Sequence, residues 1–160
     1  MQRPISLRLL CTFLKNSLAI LGFAAAILSH CPSTQAATLY ASTSAGGPGE
    51  LYTIDPASGA VIQNIGPLVD SLNVNYPITG LAFNPINGLL YGSTGNSFPG
   101  TAAKLVIINP LTAQVTVLGS FNAGNAGNPA TMADLAFDSA GNLYVADSQN
   151  HRVQKFIRAL

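Results

Sequence analysis

The chain has 160 residues, 48% apolar and only 8% charged, with 7 Lys or Arg against 6 Asp or Glu, 15 Gly, 10 Pro, 2 Cys and no Trp. At roughly 100–200 residues per domain this is room for one modest domain. A net charge of +1 excludes a basic nucleic-acid binder and an acidic disordered tail.

Residues 1–36 stand apart. Arg3, Arg8 and Lys15 make a positive start, residues 18–28 (LAILGFAAAIL) are an uncharged apolar run, and Thr34-Gln35-Ala36 ends in the small residue that signal peptidase needs. That order reads as a secretory signal peptide cut after Ala36, which places the protein outside the cell or in the periplasm. The apolar run falls short of the roughly 20 residues of a spanning helix, which disfavours an uncleaved anchor. Bulky His30 ahead of Cys31 disfavours a lipoprotein cut at that cysteine. Cleavage leaves about 124 residues with 4 Lys or Arg against 6 Asp or Glu, and removes both Cys11 and Cys31. Without a disulfide, the mature chain must be held by backbone ladders and apolar packing.

From Ala37 onward the apolar runs are short and β-rich. In chain order they are 39–43, 50–54 and a run ending at Gly66; then 78–83, 89–93, 104–108 and 115–119; then a run through Phe137, one at 143–147 and one ending near Ile157. Leu, Ile, Val, Tyr and Phe cluster in each, and Asx-Pro or Asx-Ser followed by Gly bounds them, which favours strand over helix. The near-continuous apolar content of 104–108 predicts sheets covered on both faces.

These runs repeat. The segment 81–94 (LAFNPINGLLYGST) recurs as 135–148 (LAFDSAGNLYVADS) with one deletion in the turn, and 39–43 (LYAST) is a third copy of its second half. Likewise 50–59 (ELYTIDPASG) recurs as 104–113 (KLVIINPLTA), so the unit is about 52 residues long and holds four strands, a to d. Asp55, Asn84, Asn109 and Asp138 open the turn after a strand in each unit, where an Asx side chain accepts a bond from the backbone two residues on. Their expected role is therefore structural. The predicted fold is all-β, a partial β-propeller of four-stranded antiparallel blades: a partial blade at 37–66, a full blade at 78–121 and a partial blade at 132–158.

Within that class residues 135–156, and above all Gly141-Asn142-Leu143-Tyr144-Val145-Ala146-Asp147 followed by a polar turn and Arg152-Val153, closely resemble an NHL repeat. The first two units depart from the signature, with Thr43 and Thr94 where Asp147 stands, and resemble the degenerate blades of secreted bacterial propellers. Asp147 and Arg152 flank a turn and are expected to tie it. Tyr91 and Tyr144 hold one phase of the repeat, which suits packing between blades. Propellers close with about 4–8 blades, so some two and a half blades predict first a shortened remnant of a longer propeller, and otherwise copies associating through their open sheet edges or an open array.

Function on such a scaffold is expected in the b–c and d–a connections, which are long and variable, rather than in the tight repeated turns. Those connections carry Asp70, Asn73, Asn75, Tyr76, Asn96, Phe98, Asn122, Asn125, Asn128, Gln149, Asn150 and His151. The set is polar and chemically mild. His151, alone in a polar turn, reads as solvated rather than as a general base, and the Gly-rich 125–128 lacks the strand-to-helix setting of a phosphate loop. Zinc has no ligand set.

The leading expectation is a secreted, non-catalytic module without a cofactor that binds protein or glycan. Its rival takes calcium, a hard cation suited to Asp, Asn and carbonyl oxygens. The resemblance to six-bladed lactonase-type enzymes implies that alternative, a metal-dependent lactonase- or lyase-like activity requiring oligomerisation or further blades. A third alternative is a chain with no selected activity.

Overall fold

The computed structural model describes residues 38–44, 47–95, 100–121 and 132–157, with the backbone alone at Gln149. All belong to one compact unit, Ala37–Leu160. The leader reading of residues 1–36 lies outside the described residues, as do Asn96, Phe98, Asn122, Asn125 and Asn128.

Among the described residues ten strands form three antiparallel sheets in chain order. Sheet I is β1 (Leu39–Ser42), β2 (Glu50–Ile54) and β3 (Val61–Pro67). Sheet II is β4 (Ile78–Phe83), β5 (Leu90–Thr94), β6 (Lys104–Ile108) and β7 (Val115–Ser120); sheet III is β8 (Met132–Phe137), β9 (Leu143–Asp147) and β10 (Arg152–Phe156). Within each sheet every strand pairs with its neighbours in sequence, the described strands do not close into a ring, and the architecture is that of a partial β-propeller. The only helical piece among the described residues is a 3-10 turn at Ser148–Asn150.

Strand β5 starts one residue later than the apolar run does. The Leu89 amide donates to Asn87 Oδ1 at 3.0 Å and its carbonyl accepts from Asn84 N at 3.0 Å, so Leu89 closes the turn. The four repeated turns share one chemistry. Asp55 Oδ1 accepts from Ala57 N, Asn84 Oδ1 from Ile86 N, Asn109 Oδ1 from Leu111 N and Asp138 Oδ1 from Ala140 N, all at 2.9–3.0 Å. The deletion falls inside the last of them: Gly88 N reaches back four residues to Asn84 O, whereas Gly141 N reaches back three to Asp138 O.

Alternation along the strands gives each sheet a leading face, toward the preceding sheet, and a trailing face, toward the next. Leu90, Val106, Ile108 and Val115 of sheet II lead and pack with Leu51 and Tyr40 of sheet I. Ala82, Tyr91 and Leu105 trail and pack with Met132, Leu135, Phe137, Leu143 and Val145 of sheet III. Sheet II is therefore apolar on both sides, which is why its third strand reads as an unbroken hydrophobic run.

Two ring contacts repeat across these seams. Tyr40 meets Phe83 edge-on at 5.7 Å, and Tyr91 meets Phe137 edge-on at 5.0 Å. Hydroxyls stitch the seams as well: Ser42 Oγ donates to Ile78 O at 3.1 Å, and Thr79 Oγ1 donates to Met132 O. Between sheets II and III the backbones come so close that a Cβ on Gly80 would lie 2.7 Å from Asp134 Cα.

Candidate functional site

Antiparallel order gathers the b–c and d–a connections at one end of the sheets, so residues 44, 47–49, 67–77 and 148–151 share that end. The connection 67–77 is built around Asp70. Its Oδ1 accepts from the Leu72 and Val74 amides, both at 2.9 Å, and its Oδ2 from the Tyr76 hydroxyl at 2.8 Å. Asp70 N closes the loop on Val74 O at 3.1 Å. The Val74 amide above all, with help from Tyr76 and Leu72, outweighs partial burial and holds this carboxyl below its usual range. Burial first, then the Asp70 carboxylate, pushes the Tyr76 phenol up.

Asn75 ties this loop to the first connection. Its Oδ1 accepts from Gly49 N at 2.6 Å and its Nδ2 donates to Gly49 O at 2.9 Å. A Cβ on Gly49 would fall 2.2 Å from Tyr76 O, so the contact requires glycine. Three of the expected binding-face residues thus spend their side-chain polar groups internally, Asp70 and Tyr76 within the loop and Asn75 on Gly49. Asn73 sits at the exposed tip with φ 61°. Beside it stand Leu72, 81% exposed, and Val74, 39% exposed. The composition of the loop drew attention to its polar members and missed this apolar tip. The signal was Leu72 two residues after Asp70, the spacing of an Asx turn.

At the end of β9 the carboxylate of Asp147 is fully buried. Its oxygens accept from Asn150 Nδ2 at 2.9 and 3.0 Å, Arg152 Nε at 3.0 Å and Gln154 Nε2 at 3.0 Å. Burial alone would raise the Asp147 carboxyl; Asn150 and Arg152 more than offset it and hold the group low. The expected Asp147–Arg152 tie is present, and Gln154 joins it because residues 152 and 154 share one face of β10. Asn150 and His151 are exposed, and His151 takes φ 50° where the 3-10 turn ends. Tyr144 donates to Asp138 Oδ2 at 3.2 Å, and Lys155 Nζ lies 5.1 Å above its ring.

Asp55, Asp70, Asp138 and Asp147 are all held below the ordinary carboxylate value. A folded value below the unfolded one, about 3.9 for Asp, contributes stability that is present above that value and lost as the folded group protonates. Melting temperature is expected to stay level from about pH 7 to 5 and to fall below about pH 4. Thermal melts across this range check it, and a main loss near pH 6 would contradict it.

Among the described residues no three His, Cys, Asp or Glu side chains converge so that they could hold a metal ion, and no helix is long and apolar enough to cross a membrane. Among solved structures the chain is similar to the extracellular domain of BT4673 of B. thetaiotaomicron, which is named as a one-component system. Identity is 18% over 75% of this chain, which spans only 16% of that one, and the TM-score is 0.35. No curated protein matches. The family model of the NHL repeat matches residues 133–156. That stretch spans strands β8 to β10 and holds the buried Asp147, and the two sheets before it share its strand order with Thr43 and Thr94 where Asp147 stands.

Proposed function

We propose that the chain is an exported, non-catalytic repeat module that binds a protein or glycan partner through the loop end of its sheets. The observation that carries this reading is the Asp70 loop. Three hydrogen bonds to one carboxylate fix its shape, and Ser71, Leu72, Asn73 and Val74 face outward at its tip. A preorganised tip with apolar and amide groups suits recognition, because little ordering entropy remains to be lost on binding. The loop carboxylates Asp70 and Asp147 are engaged by internal donors, which suits a scaffold better than a reaction centre. The leader-like residues 1–36 support export.

Glycan-array binding, together with interferometry against purified cell-envelope and extracellular proteins, tests the reading. One partner class is expected to bind, with affinity falling at least about tenfold in Leu72→Glu at unchanged circular dichroism. Binding untouched by Leu72→Glu would overturn the loop assignment. Millimolar Ca²⁺ is expected to leave the melting temperature unchanged; a clear rise would favour the metal-dependent alternative.

A further inference from the structure

The trailing face of sheet III repeats most register positions of the trailing face that sheet II buries. Ala82 pairs with Tyr91, and Ala136 pairs with Tyr144. Ser93 pairs with Leu105, and Ala146 pairs with Val153. In sheet II the group Ala82, Tyr91 and Leu105 packs against sheet III. In sheet III no other sheet of the described residues packs on the equivalent group, and Val153 is 67% exposed. At the other end no other described sheet packs on the leading face of sheet I, on which Leu39 and Val61 are 50% and 59% exposed and pair with Ile54 from either side.

We infer that these two faces are halves of one interface, and that the trailing face of sheet III docks on the leading face of sheet I of a second copy, head to tail. Continuity with the two internal seams supports this, since the same register positions meet in the same order. Two departures in sheet III suit a second copy rather than another sheet like II or III. Where the seam between sheets II and III needs Gly80, sheet III carries Asp134, which would block a close-packed strand a. Among the described residues sheet I has no strand a to be blocked. Where Phe83 and Phe137 meet the tyrosines of the filled seams, Lys155 lies over the Tyr144 ring, so a docking face without phenylalanine leaves no hole there. Charge agrees: Lys155 stands on the trailing face, and Glu50, held by Tyr52 and Asn64, on the leading one. A heterologous contact of this kind closes into a ring or grows without limit. Two copies bring six sheets, within the range of about 4–8 in which propellers close, and the expected species is a closed pair.

Sedimentation velocity on the exported protein at about 100 µM reads the state, with circular dichroism as the check on folding. A dimer is expected, and Val153→Glu and Leu39→Glu are each expected to give folded monomers. An equimolar mixture of the two variants retains one intact trailing and one intact leading face, and is expected to recover a dimer. A monomeric parent protein, growth beyond two copies, sensitivity to only one of the substitutions, or no recovery in the mixture would each overturn the inference.

Discussion

Leu51→Ala is expected to cost about 3 kcal/mol, within the range of about 2–5 kcal/mol for emptying a buried leucine site. Leu51 is fully buried and packs with Leu68, Ile78, Leu90 and Val106 at the seam between sheets I and II. Backbones on both sides of that seam are fixed by ladders and by the Ser42 and Thr43 links to Ile78, so the cavity has little freedom to collapse. Leu111→Ala is the control: this side chain is 83% exposed in a turn, and its loss is expected to stay within about 0.5 kcal/mol. Urea titration of both variants checks the contrast, and equal effects would show that the seam is not where stability resides.

The second large effect is expected at Asp147. Asp147→Ala removes the acceptor shared by Asn150, Arg152 and Gln154 and leaves a void behind it, at a cost of about 2–3 kcal/mol. For a domain of this size that is a fall of about 6–12 °C in melting temperature. Arg152→Ala is expected to cost about 1 kcal/mol or less, because its side chain is 48% exposed and two amide side chains continue to hold the carboxylate. The double variant is expected to match Asp147→Ala alone, since the arginine has nothing left to bind. Additive losses would mean that Arg152 acts through another contact.

The strands and tight turns were legible in the sequence because both follow from chemistry a few residues long. Apolar runs between Asx and Gly give the ten strands, and a carboxylate or amide two residues before a free N–H gives the four turns. The shared phase of Tyr91 and Tyr144 pointed to packing between sheets; the structure shows it for Tyr40 and Tyr91, and holds Tyr144 beneath Lys155. The loop end was less legible. Asp70 and Asn75 look in sequence like groups awaiting a ligand, and nothing local reveals that Asn75 is satisfied by Gly49, 26 residues earlier. Gly80 gave no signal either, because its need for a missing side chain comes from a strand some 50 residues away.

The order of the three sheets also sets how the fold shares its stability. Each seam joins only neighbours in the chain, so folding free energy is close to a nearest-neighbour sum, with two coupling terms that both include sheet II. Damage in sheet I leaves the second seam standing, and damage in sheet III leaves the first. A defect in the middle sheet removes both couplings at once, which makes sheet II the keystone of the domain.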